Sequence, residues 1–184
     1  MNKIGTQRIE TERLILRRFE VGDAREMYEN WASDHEVTAF LTWEPHPNAE
    51  VTRALLETWV AEYVNGDYFN WVMILKESGQ AIGNISVVKA DERIDAAEMG
   101  YCMSRAHWGK GLMPEALRAV TAFLFDKVGM NRVSAKHDAR NPKSGRVMAK
   151  SGMKFEGVLR QAGLSNAGVC DEVCYAILRS DRTV

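Results

Sequence analysis

The chain has 184 residues, 46% hydrophobic and 27% charged, with a formal net charge of −1. That length suits one domain, 1–184, which can bury a core without a metal or disulfide staple, and the composition excludes a disordered tail. A near-neutral total excludes the basic surface that grips DNA or RNA phosphates, so no nucleic-acid partner is expected.

A first strand is read at 14–16, flanked by Arg13 and Arg17. Asp23 is expected to cap a helix running to about Ala32, with Met27 and Trp31 one turn apart. The two-proline stretch 42–48 predicts a loop, and Asn48 a cap for a second helix in which Leu55, Leu56, Trp59, Val60 and Tyr63 recur at helical spacing. Three strands follow at 69–76, 81–89 and 96–103, with turns short enough for an antiparallel meander. The clearest helix spans 112–128, with Ala116, Leu117, Val120, Phe123 and Leu124 on one face. A strand at 132–138, a short helix at 141–151 stopped by Gly152, and strands at 155–161 and 169–178 complete the chain. The order is βααβββαβαββ, an α+β domain.

The longest clean apolar run, 71–75, is far too short for a membrane span, and the first 14 residues carry no secretory apolar region. Cys102, Cys170 and Cys174 form no CxxC or Cys/His cluster, so neither disulfides nor a metal are expected. A soluble, cytoplasmic protein with no membrane partner follows.

The segment 98–115 carries the sharpest chemistry. A strand ends near Met103, Gly109-Lys110-Gly111 turns, and a helix opens at Leu112 with Pro114 in its first turn. The amides of Gly109, Lys110, Gly111, Leu112 and Met113 can converge on a pyrophosphate, aided by the helix dipole. Lys110 precedes Gly111 rather than a hydroxyl residue, which excludes a Walker P-loop, and Pro114 stands where a Rossmann fingerprint needs its third glycine. In the second segment Asn141 is a helix cap followed by Pro142. Ser144, Met148 and Ser151 share the inward face, and Lys143, Arg146 and Lys150 another. Seven basic residues between 132 and 154 oppose one acid, Asp138, whereas 91–98 is acidic. The neutral total thus hides a basic patch suited to a small phosphorylated ligand.

These residues resemble the GNAT superfamily of N-acetyltransferases. The resemblance rests on Trp108-Gly-Lys-Gly111 with Glu115-Ala-Leu117, Asn141-Pro-Lys-Ser144 and Gly152-Met-Lys-Phe-Glu-Gly157. Thr11-Glu-Arg-Leu-Ile-Leu-Arg17 and Asp171-Glu-Val-Cys-Tyr175 narrow it to the branch that acetylates ribosomal-protein alanines. It implies a mixed, mostly antiparallel central sheet with flanking helices, splayed between strands 96–103 and 132–138 to admit acetyl-coenzyme A. It implies that Trp108 to Met113 hold the pyrophosphate, that backbone groups of Cys102 and Met103 pair with the pantetheine arm, and that Asn141 contacts that arm. Ser144 would lie near the sulfur, with Lys143 and Arg146 on the outer phosphate. Two departures stand out: Trp108 occupies a position usually Gln or Arg, and Met113 one usually small. Many relatives carry a tyrosine proton donor after the Asn; none lies between Asp138 and Gly152, which leaves that task to Ser144.

The expected mechanism is direct attack of an amine on the thioester. Deprotonation at pH 7 costs about 1.4 kcal/mol for an α-amino group and about 4.6 for a lysine, so a weak base suffices more easily for an N-terminus. Glu98 is the expected base, on one strand face with Gly100 and Cys102, where Gly100 leaves room for a ligand. An amide near Met103 would stabilise the oxyanion, and Ser144 would donate to the leaving thiolate. A ping-pong route through Cys102 lacks an activating partner apart from His107, beyond the strand end. Trp31, Trp43, His46 and Trp59 are expected beside the acceptor, with Trp43 and His46 as substrate contacts and 164–168 as the opposite wall. The acceptor is a protein N-terminal amine or, alternatively, a small amine or aminoglycoside; a catalytically silent acyl-coenzyme A sensor is the other reading, and a homodimer a further partner.

Overall fold

The computed structural model describes residues 1–182. Its strands are β1 (Ile9–Glu10), β2 (Leu14–Arg17), β3 (Asn70–Leu75), β4 (Ala81–Asp91), β5 (Ala96–Met103), β6 (Arg132–Asp138), β7 (Lys154–Ser165) and β8 (Gly168–Leu178). The helices are α1 (Ala24–Met27), α2 (His35–Thr38), α3 (Ala49–Glu62), α4 (Leu112–Phe123) and α5 (Pro142–Lys150). The strands form one mixed sheet in the order β1-β2-β3-β4-β5-β6-β8-β7. All pairs are antiparallel except β5 with β6.

Both faces of the sheet are covered, which explains why β3 is apolar residue after residue rather than alternating. Trp71 and Met73 enter the core under α4 and α5, while Val72 and Ile74 enter the core under the N-terminal helices. Leu112, Ala116, Leu117 and Val120 bury the expected face of α4, and a π-helical turn carries it on through Val128. Met148 and Ser151 of the α5 region point inward, as the spacing predicts.

Three details differ from the sequence reading. A two-residue strand, β1, precedes the first predicted one. Asp23 caps no long helix, because Arg17 on β2 takes its carboxylate at 2.7 and 2.8 Å. The segment instead runs as a 3₁₀ turn, α1 and a π-helical turn to Ala32, then restarts at α2 under an Asp34 cap. Finally, β7 extends to Ser165 through two register shifts, one of them beside Gln161, whose amide is held by the Asp171 carboxylate at 2.8 Å.

The feature that positions the site is a wedge in the sheet. β5 and β6 pair only from Ala96 to Met99 and Arg132 to Ala135. Beyond that point β5 stays with β4 as far as Met103, and β6 stays with β8 as far as Asp138.

Candidate active site

A cavity of about 1500 Å³ occupies this wedge and reaches both faces of the sheet. On one face it is lined by Trp108, Gly109, Gly111 and Leu112 at the start of α4, and by Lys143, Ser144 and Arg146 of α5. On the other it is lined by residues of the N-terminal helices and by the β7–β8 turn.

The Gly-rich turn is built as an open cradle. Gly109 and Gly111 both sit at φ +77, a left-handed conformation that suits glycine. Gly111 precedes α4 and no side chain caps that helix, so its first amides remain to be satisfied. The Leu112 and Met113 side chains are buried in the core, and both residues also border the cavity. Trp108, where Gln or Arg is usual, turns its polar atom inward: its Nε1 donates to the Met103 carbonyl at 2.7 Å, tying the turn to the end of β5. Lys143 Nζ lies 4.8 Å from the Trp108 ring centroid, a cation–π contact. Sequence reasoning missed the brace behind the turn. Arg13 donates to the Lys110 carbonyl at 2.9 Å and pairs with Glu115 at 2.7 Å, and Thr11 donates to Glu115 at 2.6 Å. Burial raises the Glu115 pKa, but these donors outweigh it and hold the carboxyl below its usual value.

The basic patch divides in two. Arg132, Lys136, Arg140 and Lys154 are paired with Glu156, Glu98 and Glu172, Asp138, and Asp181. Among the described residues Lys143, Arg146 and Lys150 have no carboxylate partner, and all three line the cavity. Of the acidic stretch 91–98, Asp91, Glu92 and Asp95 pair with Arg93, Lys3 and the N-terminus, and Glu98 lines the cavity.

β5 presents different groups in three directions. The Ser104 amide donates to Ile82 at 2.8 Å, and strand alternation then turns the backbone groups of Gly100 and Cys102 into the β4 ladder. The groups facing the wedge are therefore those of Tyr101 and Met103, so Cys102 is displaced from its expected backbone role. With the Met103 carbonyl held by Trp108, its amide is the group left for a ligand. Burial pushes the Cys102 thiol up to about 12, and it donates to Asn84 Oδ1 at 2.8 Å, which leaves almost no thiolate for a ping-pong route. Glu98 and Gly100 line the cavity on the same strand face as Cys102, that of the N-terminal helices. The space over Gly100 is partly taken, since an added Cβ would lie 2.7 Å from Val88 Cγ1, at the bulge of β4. Glu98 lies 3.6 Å from Lys136, which reaches Glu172 at 3.0 Å. Burial works against the Lys136 charge, but the two carboxylates outweigh it and raise its pKa.

On the opposite face Tyr101 reaches α5. Its Oη lies 3.0 Å from Ser144 Oγ and 3.3 Å from the Ser144 carbonyl. Burial raises the phenol pKa, more than offsetting the hydrogen bond to Ser144, so the phenol keeps its proton. The period-2 alternation with Gly100 was the available signal for Tyr101; the partner 43 residues away was not. Asn141 caps α5 through Oδ1, 3.4 Å from the Ser144 amide, and also lines the cavity.

On the face of the N-terminal helices, Trp43, His46 and Trp59 line the cavity, whereas Trp31 is fully buried in the core. His46 Nδ1 contacts Thr52 Oγ1 at 2.7 Å, and burial lowers the ring pKa, favouring neutral imidazole. Leu164 and Ser165 supply the opposite wall. Asn166 joins the two walls: its amide donates to Leu41 at 3.0 Å, and its Nδ2 to Thr38 at 2.9 Å and Trp43 at 2.7 Å. Asp138 and Arg140 fix the turn from below. Arg140 pairs with Asp138 at 2.7 Å and donates to the Ala167 carbonyl at 2.7 Å, and Ser165 donates to Asp138 at 2.9 Å.

Residues 13–154 match the family model described as an acetyltransferase (GNAT) domain. The chain is 29% identical over 171 residues to an uncharacterized N-acetyltransferase, p20, of Bacillus licheniformis, covering 93% of this chain and 96% of that protein. It is 27% identical over 184 residues to the ribosomal protein uS5-alanine N-acetyltransferase of Escherichia coli, covering 96% and 93% of the two chains. Its fold matches a ribosomal L7/L12 α-N-protein acetyltransferase solved with coenzyme A, with a TM-score of 0.84 at 19% identity, over 96% of this chain and 100% of that one.

Proposed function

Because the chain belongs to the GNAT acetyltransferases, we propose that it moves an acetyl group from acetyl-coenzyme A to a primary amine by direct attack. The observation that carries this reading is the cavity crossing the wedge, with an anion cradle on one face of β5 and Glu98 on the other. The residues fit the donor: uncapped helix amides at Gly111 to Met113, three cations with no carboxylate partner among the described residues, and a strand edge offering backbone groups. The cradle and Lys143, Arg146 and Lys150 would hold its phosphates, and Asn141, Tyr101 and Met103 its arm. Acetyl-coenzyme A supplies the activated acyl carbon and a sulfur leaving group.

The chain's own residues divide the proton work between the two faces of β5. Glu98 takes the proton of the incoming amine, directly or through water. The Met103 amide faces the position where carbonyl oxygen gains charge. Ser144 gives its proton to the departing sulfur while Tyr101 passes its phenol proton to Ser144, and the phenolate is reprotonated from solvent as products leave, which balances the proton that Glu98 hands to solvent. As the nitrogen–carbon bond forms and the carbon–sulfur bond breaks, one proton leaves on the Glu98 side and one arrives on the Ser144 side.

The test is release of free thiol from acetyl-coenzyme A with an amine panel of N-terminal peptides, polyamines and aminoglycosides. Amine-dependent release is expected; cofactor binding with no release for any amine would favour a silent sensor. Ser144→Ala is expected to lower kcat by about 10²-fold and Tyr101→Phe by about tenfold, with coenzyme A affinity retained. Full activity in both would remove the relay. Gly111→Ala should weaken coenzyme A binding about tenfold by calorimetry, because alanine at φ +77 costs about 1–2 kcal/mol and shifts the cradle. Unchanged affinity would place the phosphates elsewhere.

A further inference from the structure

The acceptor lobe of the cavity is apolar where a cation-binding site would be acidic. We infer that the acceptor is a primary amine bearing an apolar, aromatic-sized group and carrying no second positive charge; this rests on the acetyl-transfer reading above. Phe40, Leu41, Trp43, Leu55 and Trp59 line the lobe, each with part of its surface still open. The Trp43 and His46 rings meet at 5.3 Å, and His46 is held by Thr52 in an environment that favours its neutral form. This wall can stack on a ring or cover an aliphatic group, and it offers nothing to an ammonium beyond the aromatic faces.

The charges around the cavity support the same assignment. Four carboxylates line it, Glu36, Glu98, Asp138 and Glu172. Each already faces a cation of the chain: Arg105, Lys136, Arg140 and again Lys136. Lys136 and Arg140 stand among these carboxylates, whereas Lys143, Arg146 and Lys150 line the donor face and are assigned to the donor's phosphates above. An aminoglycoside or polyamine would therefore bring several charges to a lobe whose carboxylates are already paired, with none among the described residues to spare for a second ammonium. A single amine nitrogen needs only Glu98, and its substituent can rest on the tryptophans.

Two sources share this chemistry, a peptide whose first residue is aromatic and a free arylalkylamine. Thiol release is measured with a Phe-first tetrapeptide, a Gly-first tetrapeptide of otherwise equal sequence, phenethylamine, spermidine and an aminoglycoside. The Phe-first peptide, phenethylamine or both are expected to exceed the Gly-first peptide by at least about tenfold in kcat/KM, with the polycations at background. Whichever of the two is faster identifies the source. A polycation or the Gly-first peptide as best acceptor would overturn the inference and leave the acetyltransferase reading standing. Absence of release with every amine would overturn both. Trp43→Ala should raise the KM for the aromatic acceptor about tenfold without changing coenzyme A titration, and Trp43→Phe should restore most of it. An unchanged KM in Trp43→Ala would remove the tryptophan wall from recognition.

Discussion

Replacing Glu98 by Gln is expected to lower kcat/KM for amine acetylation about 10²–10³-fold at pH 7, within the roughly 10²–10⁴-fold that a positioned general base contributes. Coenzyme A affinity should stay at the parent value, because Glu98 faces away from the cradle and from Ser144. The pH profile separates base from scaffold. A base is needed most when the amine is protonated, so the deficit should shrink as pH rises toward the amine pKa and free amine accumulates. A residue that merely held Lys136 would show a deficit of constant size, reproduced by Lys136→Met, which removes the ion pair at 3.6 Å while leaving the carboxylate. Retention of more than half the parent rate by Glu98→Gln at pH 7 would eliminate Glu98 as the base.

The second large effect concerns the β7–β8 turn beside the cavity. Asp138 is 6% exposed, and it holds Arg140 and Ser165. These hydrogen bonds, led by that from Arg140, pull its carboxyl well below the usual carboxylate range despite burial. Asp138→Asn removes the charge while keeping the shape. A lost charge-assisted hydrogen bond of this kind is worth about 2 kcal/mol, or about 4–8 °C in Tm for a chain of this size. Because the folded pKa lies below the unfolded one, this stability is fully present above about pH 4 and is lost as the pH falls through the folded value. The difference in Tm between parent and Asp138→Asn should therefore be constant near neutrality and narrow in acid. A pH-independent difference would assign the loss to packing alone. The KM for the amine should also rise, since Arg140 also holds the Ala167 carbonyl beside Asn166.

Much of this architecture is legible in the sequence where one element suffices. β5 and β6 were bounded correctly because each has a clean apolar alternation between turn residues. The Asn48 and Asn141 caps were legible because a cap and its amide are three residues apart. The cradle was legible because two glycines and a proline mark a strand-to-helix turn. What escaped depends on partners far along the chain. Asp23 looked like a cap until β2 brought Arg17 beside it. Tyr101 looked like an ordinary strand residue, and Arg13 like a flanking charge, until α5 and the Lys110 turn stood opposite them. Arg140 looked like part of a phosphate-binding patch, because nothing in a linear reading shows that it neutralises Asp138 and carries a turn 27 residues away. Asn166, which spans 123 residues to reach Trp43, gave no local signal at all.

The wedge between β5 and β6 also bears on how long the protein survives. Past Met99 the sheet forgoes its own ladder, and the backbone groups of Tyr101 and the amide of Met103 face a wedge that exists only in the folded chain. A donor that fills the wedge acts by mass action on the folding equilibrium, adding about 2.7 kcal/mol when present at a hundred times its Kd. Resistance to proteolysis would then track the supply of acyl donor, and a cell short of acetyl-coenzyme A would hold a more easily degraded population of the enzyme.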